Sequence, residues 1–136
     1  MPKTLIILHG WQSSKEKWQK VKELLEGPDL RVIAPDLPGF KPETALEKPW
    51  NLDDYVLWLE KFTGEHPLQN FFLLGHSFGG RIAIKFAAEH PEKLAGLVLV
   101  SAAGIKKTKT IWDKILLATI KLTRKLGVEE TTFEKT

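Results

Sequence analysis

Phe71-Phe72-Leu73-Leu74-Gly75-His76-Ser77-Phe78-Gly79-Gly80 is the stretch on which the reading of this chain turns. Its first four residues form a continuous apolar run, of the length and kind found in a strand buried on both faces. From Arg81 to Glu89, Ile82, Ala83, Phe86 and Ala87 fall on one helical face, and Pro91 closes the helix. A strand that turns directly into a helix forces the middle residue of the turn into a strained, positive-φ conformation. Side chains two places before and two places after it would collide with neighbouring backbone, which explains Gly75 and Gly79, with Gly80 following. Ser77 is then held out over the strand ends, free of its own chain. The helix N-terminus points at it and favours developing negative charge there.

Working outward, strand and helix patterns alternate from residue 5 to residue 100. Leu5-Ile6-Ile7-Leu8 reads as a buried strand that ends at His9-Gly10-Trp11. A helix follows, with Ser13 and Glu16 spaced as a capping box and Trp18, Val21, Leu24 and Leu25 as its apolar stripe, until Gly27-Pro28 stops it. Arg31-Val32-Ile33-Ala34 is a second strand, broken by Pro35-Asp36-Leu37-Pro38-Gly39, and residues 40–50 read as loop. Asn51 caps a second helix with Asp53 and Asp54 in its first turn. Leu52, Tyr55, Val56, Leu59 and Phe62 mark its buried face, and Gly64 ends it. The fourth strand is Leu97-Val98-Leu99-Val100, ended by Ser101 to Gly104. This alternation predicts an α/β fold: a parallel sheet with helices on both faces, whose ligand sites lie beyond the carboxyl ends of the strands. His9-Gly10-Trp11, Asp36 and Gly75 to Gly80 all fall there.

The 136 residues, 43% of them apolar, amount to one domain of ordinary globular balance. Cysteine is absent, which excludes disulfides and thiolate metal sites. No run approaches the roughly 20 apolar residues that span a bilayer, and the apolar run near the N-terminus is too short for a signal peptide, so a cytoplasmic location is expected. Residues 1–104 hold 12 Lys and Arg against 13 Asp and Glu, whereas residues 105–136 hold 8 against 4. The net charge of +3 therefore comes from the tail. The first 104 residues lack the basic face that nucleic acid requires, and no nucleic-acid partner is expected.

The five residues Gly75 to Gly79 fit G-x-S-x-G, a weak pattern by itself that a glycine-rich turn with a bystander serine would also satisfy. It gains specificity from its strand-turn-helix setting and from the strand-His-Gly and strand-Pro-Asp elements before it. In these elements, Leu8-His9-Gly10-Trp11, Pro35 to Gly39, Gly75 to Gly80 and Leu97 to Val100, in this order and spacing, the chain resembles the α/β-hydrolase superfamily over about residues 3–105. The His-Gly-Trp form resembles the carboxylesterase-like branch. The resemblance implies a strand order of second-first-third-fourth, Ser77 as nucleophile, and the amides of Trp11 and Phe78 as an oxyanion hole. It implies a small ester-like substrate, with no cofactor and no metal. A serine at the turn separates the chain from the dehalogenase and epoxide hydrolase branches, which place aspartate there.

A serine hydroxyl needs a base to take its proton, and family members supply one from an acid and then a histidine later in the chain. The histidines are His9, His66, His76 and His90. Only His90 follows Ser77, at the far end of the same helix, on the order of 20 Å away. His76 adjoins Ser77, so their side chains diverge and packing is its expected role. His9 matches the structural histidine of the His-Gly turn and is kept as a weak candidate base. Asp36 reads as a turn former. The expected organisation is therefore the N-terminal half of a hydrolase core (1–105), truncated after about four strands, an amphipathic helix resembling the start of a cap (106–128), and a polar tail (129–136). Ile111, Trp112, Ile115, Leu116, Leu117, Ile120 and Leu122 give residues 106–126 a broad apolar face among lysines. Three roles stay open for it: cap, packing against the sheet, or membrane or partner contact. An unpaired fourth strand would invite self-association unless this segment shields it. The functions compatible with these residues are a serine hydrolase of esterase or lipase type, a non-catalytic binding module on the same scaffold, or a related acyl transferase or carbon–carbon bond hydrolase.

Overall fold

Alternate side chains of Leu5 to Leu8 enter two different cores, and this is why the run carries no polar residue. Ile6 and Leu8 join Leu37, Tyr55, Val56, Leu59, Phe71, Leu73, Ile82, Ala83 and Phe86 on one face. Leu5 and Ile7 join Val32 and Leu74 on the other, beneath Trp18 and Val21. The computed structural model describes residues 2–66 and 68–104. Within them run β1 (Lys3–Leu8), α1 (Gln19–Leu25), β2 (Leu30–Ile33), α2 (Leu52–Glu65), β3 (Phe71–His76), α3 (Phe78–Glu89) and β4 (Leu94–Val100). The four strands form one parallel sheet in the order β2-β1-β3-β4, as expected. Leu8 pairs with Gly75 and His76 with Val100, so the ends of β1, β3 and β4 finish side by side.

Local chemistry sets the element ends. Asn51 Oδ1 accepts from the amides of Asp53 and Asp54, and the Asp54 carboxylate accepts from the Asn51 amide, a reciprocal cap on α2. The capping box expected at Ser13 and Glu16 does not form. The chain enters α1 through a 3₁₀ turn at Lys15–Trp18 whose cap residue, Ser14, makes no side-chain capping bond. Instead the Lys15 amide donates to Asp36 Oδ1 at 2.8 Å, so a carboxylate from beyond β2 does the capping. Glu16 pairs with Lys41. The apolar stripe of α1 is also narrower than expected: Trp18 and Val21 pack on the sheet, but Leu24 is 75% exposed and Leu25 is exposed as well. The helix is only seven residues long, and none of its residues is fully buried. Gly64 does not end α2, which continues to Glu65.

β4 is the outer strand of the four described, and Leu97, Val98, Leu99 and Val100 are each 36–44% exposed. The segment expected to shield this edge, with the cap-like helix and polar tail, lies outside the described residues. No helix among the described residues is long and apolar enough to cross a membrane.

Phe86 is fully buried between α3 and β3, its ring 6.1 Å from that of Phe71. Phe86→Ala is expected to lower the unfolding free energy by about 3–5 kcal/mol. Leu24→Ala should change it by less than about 0.5 kcal/mol. Urea denaturation of both variants checks the contrast.

Candidate active site

Ser77 joins β3 to α3 with φ 50° and ψ −113°, a conformation side chains rarely adopt. Three glycines make room for it. A Cβ on Gly75 would lie 2.6 Å from the Gly79 carbonyl oxygen and from Gly80 Cα, so the strand and the first turn of α3 touch through backbone. A Cβ on Gly79 would drive into the Leu8 and His9 carbonyls, and one on Gly80 would lie 2.5 Å from Ala102 Cβ. The turn is therefore clasped between the end of β1 and the residues after β4. Hydrogen bonds hold it from the same sides: the Ser77 amide donates to the Val100 carbonyl (3.2 Å), and the Ser77 carbonyl accepts from the amides of Gly80 (3.0 Å) and Ala103 (2.9 Å).

The turn after β1 lies directly opposite. A Cβ on Gly10 would lie 3.3 Å from Ser77 Cβ and 3.1 Å from His76 Nδ1. The Trp11 ring meets that of Phe78 edge-on at 5.3 Å, and Gln12 turns the chain away with φ 49°. Among the described residues, neither the Trp11 amide nor the Phe78 amide donates to a backbone or side-chain acceptor. The latter is one of the orphan donors that every helix N-terminus leaves. Ser77 itself is half-buried. Ser77, Trp11, Phe78, Gly75, Gly79 and Gly80 thus come together at the carboxyl ends of the strands.

The two histidines near the turn have different tasks. His9 is buried. Its Nε2 accepts from the Leu37 amide at 2.9 Å, which leaves the proton on Nδ1, 2.8 Å from the Gly10 carbonyl that accepts it. Both ring nitrogens are committed to backbone, so His9 ties β1 to the Pro35–Gly39 turn and has no lone pair left for Ser77. Burial holds its pKa below the ordinary 6.5. His76 leans on Trp18, ring centroids 5.6 Å apart. His66 lies at the end of α2 against the Phe62 carbonyl, and His90 sits at the far end of α3 beside Glu60 and Glu92. Burial pushes the Asp36 carboxyl up, but the Lys15 amide and the Lys41 ammonium outweigh it and hold it below its usual value. Asp36, expected as a turn former, instead spends its carboxylate on the Lys15 amide and the Lys41 ammonium, and so caps the entry to α1. No group of three or more potential metal ligands occurs among the described residues.

The family model of the alpha/beta hydrolase fold matches residues 3–124. The chain belongs to the α/β-hydrolase family. It is 36% identical over 110 residues to a 1-acylglycerol-3-phosphate O-acyltransferase of Arabidopsis thaliana, covering 74% of this chain and 25% of that protein. It is 32% identical over 111 residues to the pimeloyl-[acyl-carrier protein] methyl ester esterase of Photorhabdus laumondii, covering 82% of this chain and 40% of the relative. Among solved structures, the monoacylglycerol lipase of Paleococcus ferrophilus superposes with a TM-score of 0.67 at 28% identity, over 91% of this chain and 48% of that one. The chain spans between a quarter and about half the length of these relatives.

The sequence reading missed two supports of the site. The Val100–Ala103 segment, with Ser101 at φ 44°, holds the Ser77 turn through hydrogen bonds and contact with Gly80. A small residue directly after an apolar strand was its only signal. The loop 40–50 carries Phe40, Leu46 and Trp50 onto Tyr55 and Trp11, and its signal was aromatic residues in a segment otherwise rich in proline and charge.

Gly79→Ala is expected to destabilise the fold by at least 2 kcal/mol, on the order of an overpacked core substitution, seen as a loss of melting temperature. For His9, the native state binds fewer protons than the unfolded chain below pH 6.5. Stability should therefore fall as pH drops from 6.5 toward 5, before the carboxylates titrate. In His9→Gln the melting temperature should be lower throughout, and its slope across that interval flatter.

Proposed function

We propose that the chain carries the nucleophile of a serine hydrolase acting on ester-type bonds, with Ser77 as that nucleophile. The observation that carries this reading is the strained Ser77 turn at the N-terminus of α3, facing Gly10 across the strand ends. In the first step the Ser77 hydroxyl oxygen bonds to the ester carbonyl carbon as its proton passes to a base. The carbonyl oxygen becomes an oxyanion that accepts from the amides of Trp11 and Phe78. Collapse breaks the bond to the alcohol, which leaves with the proton, and an acyl-enzyme remains. Water then releases the acid by the reverse sequence. An acyl acceptor other than water would give transfer instead, and the relatives named above include both an esterase and an acyltransferase.

Among the described residues, none supplies the base. His9 is committed to backbone, His76 rests on Trp18, and His66 and His90 are on distant helix ends. We assign the proton acceptor to a part of the protein outside the described residues, in keeping with the share of its relatives that the chain spans. The same observation favours a second reading, a binding module without chemistry.

A fluorophosphonate reagent separates the two. On the hydrolase reading it labels Ser77 slowly, and added imidazole, acting as an external base, speeds labelling several-fold. Ser77→Ala abolishes labelling with or without imidazole. A protein not labelled at Ser77 under either condition, with its fold intact by circular dichroism, would be the binding module.

A further inference from the structure

β3 and β4 run in parallel register as far as His76 and Val100. If the ladder continued unbroken, the Ser77 amide would donate to the Val100 carbonyl and the Ser77 carbonyl would accept from the Ala102 amide. The first bond is present at 3.2 Å, but the second is displaced by one residue: the Ser77 carbonyl accepts from Ala103, at 2.9 Å. Ser101 and Ala102 together therefore take the place of one residue opposite the serine, as in a β-bulge. The displacement answers the shape of the Ser77 turn. Its ψ of −113° lies far from the roughly +115° of a parallel strand, so the Ser77 carbonyl is swung toward α3, where it also accepts from the Gly80 amide at 3.0 Å. The amide that reaches it from the end of β4 is the one a residue further along the chain.

Ser101 makes the extra residue fit. Its φ is 44°, in the left-handed region that Ser77 also enters at φ 50°. Ser101 is exposed, so what it contributes is backbone conformation and not packing. Ala102, the residue after it, is carried against the first turn of α3, where a Cβ on Gly80 would lie 2.5 Å from Ala102 Cβ. We propose that Ser101 is a positioning residue for Ser77: by holding the left-handed conformation it keeps the bulge in register with the rotated Ser77 carbonyl, and so fixes how the serine is presented. Glycine and asparagine enter this region readily and can replace it, whereas a β-branched residue, for which it is an outlier, cannot. The consequence for chemistry rests on the reading of Ser77 as nucleophile; the coupling between the two turns does not.

Ser101→Gly, Ser101→Asn and Ser101→Thr in the full chain test this, because threonine keeps the hydroxyl and changes the backbone preference, whereas glycine does the reverse. Amide hydrogen exchange by NMR is read at Ser77 and Ala103 and compared with Leu73 and Leu74 in β3, which report on the fold as a whole. Ser101→Thr is expected to speed exchange at Ser77 and Ala103 about ten-fold with Leu73 and Leu74 unchanged, and to slow imidazole-assisted fluorophosphonate labelling of Ser77 by a similar factor. Ser101→Gly and Ser101→Asn should stay within about two-fold of the unaltered protein in both measurements. Exchange at Ser77 and Ala103 that does not change in Ser101→Thr, or changes only in step with Leu73 and Leu74, would overturn the proposal. A loss in Ser101→Gly equal to that in Ser101→Thr would also overturn it, by giving the role to the hydroxyl. The exchange pattern in a protein that is never labelled would uphold the positioning and remove the nucleophile reading, so the two fail separately.

Discussion

The backbone at Ser77 is held in a conformation it would not choose, and the rest of the structure is arranged so that it cannot leave. A φ of 50° with ψ −113° costs a non-glycine residue on the order of 1–3 kcal/mol, and such strain persists only where the surroundings over-determine it. Here the constraints come from three strands. β3 pairs with β1 on one side and β4 on the other, and α3 returns so closely that Gly75 and Gly80 touch without side chains between them. The Ser77 amide and carbonyl are bonded to Val100 and Ala103, beyond the end of β4. β4 therefore acts on the candidate site directly. It is exposed along its outer side, yet its last residue and those after it fix the serine.

This dependence explains which parts of the molecule could be read from sequence. The Ser77 turn was legible because close backbone approach dictates residue type: only glycine fits at 75, where α3 turns back on β3, and at 79 and 80, where the end of β1 and Ala102 close in. The α2 cap was legible for the same reason, since Asn51 and Asp54 satisfy one another within four residues. The failures are long-range. Ser13 and Glu16 have the spacing of a capping box, but Asp36, over 20 residues away, reaches the Lys15 amide, and Lys41 takes Glu16. Leu24 and Leu25 fit a helical stripe, but no part of the described fold covers them and both are exposed. Residues 40–50 have no periodicity, so nothing in the sequence placed Phe40 and Trp50 against Tyr55. Local rules predicted what local bonds decide, and tertiary partners overrode the rest.

His9 shows how a suggestive residue can be assigned by its bonds. It lies close to the Ser77 turn, and a histidine near a serine invites a catalytic reading. Its two nitrogens instead close a bridge from β1 to the Pro35–Gly39 turn, the start of the loop that brings Phe40 and Trp50 against Tyr55. Protonation of Nε2 would break the bond to the Leu37 amide and place a charge in a buried site, and for that reason burial depresses its pKa. A group held neutral by its structural role is poorly suited to take up a proton during catalysis.

Positioning and activation of a nucleophile are thus physically separable. The geometry around Ser77 depends on close backbone contacts among β1, β3, α3 and the end of β4, all within the first 104 residues of the chain. Activation needs one lone pair within hydrogen-bond reach of the hydroxyl, and this can come from any element that packs against the carboxyl ends of the strands. The chain covers less than half of the esterase and lipase to which it is similar. An oxyanion site without its base still favours the transition state over the ground state, by far less than the complete arrangement does. On the reading proposed for Ser77, such a scaffold would orient an ester there, and supplying a proton acceptor would add rate without requiring the serine turn to be rebuilt.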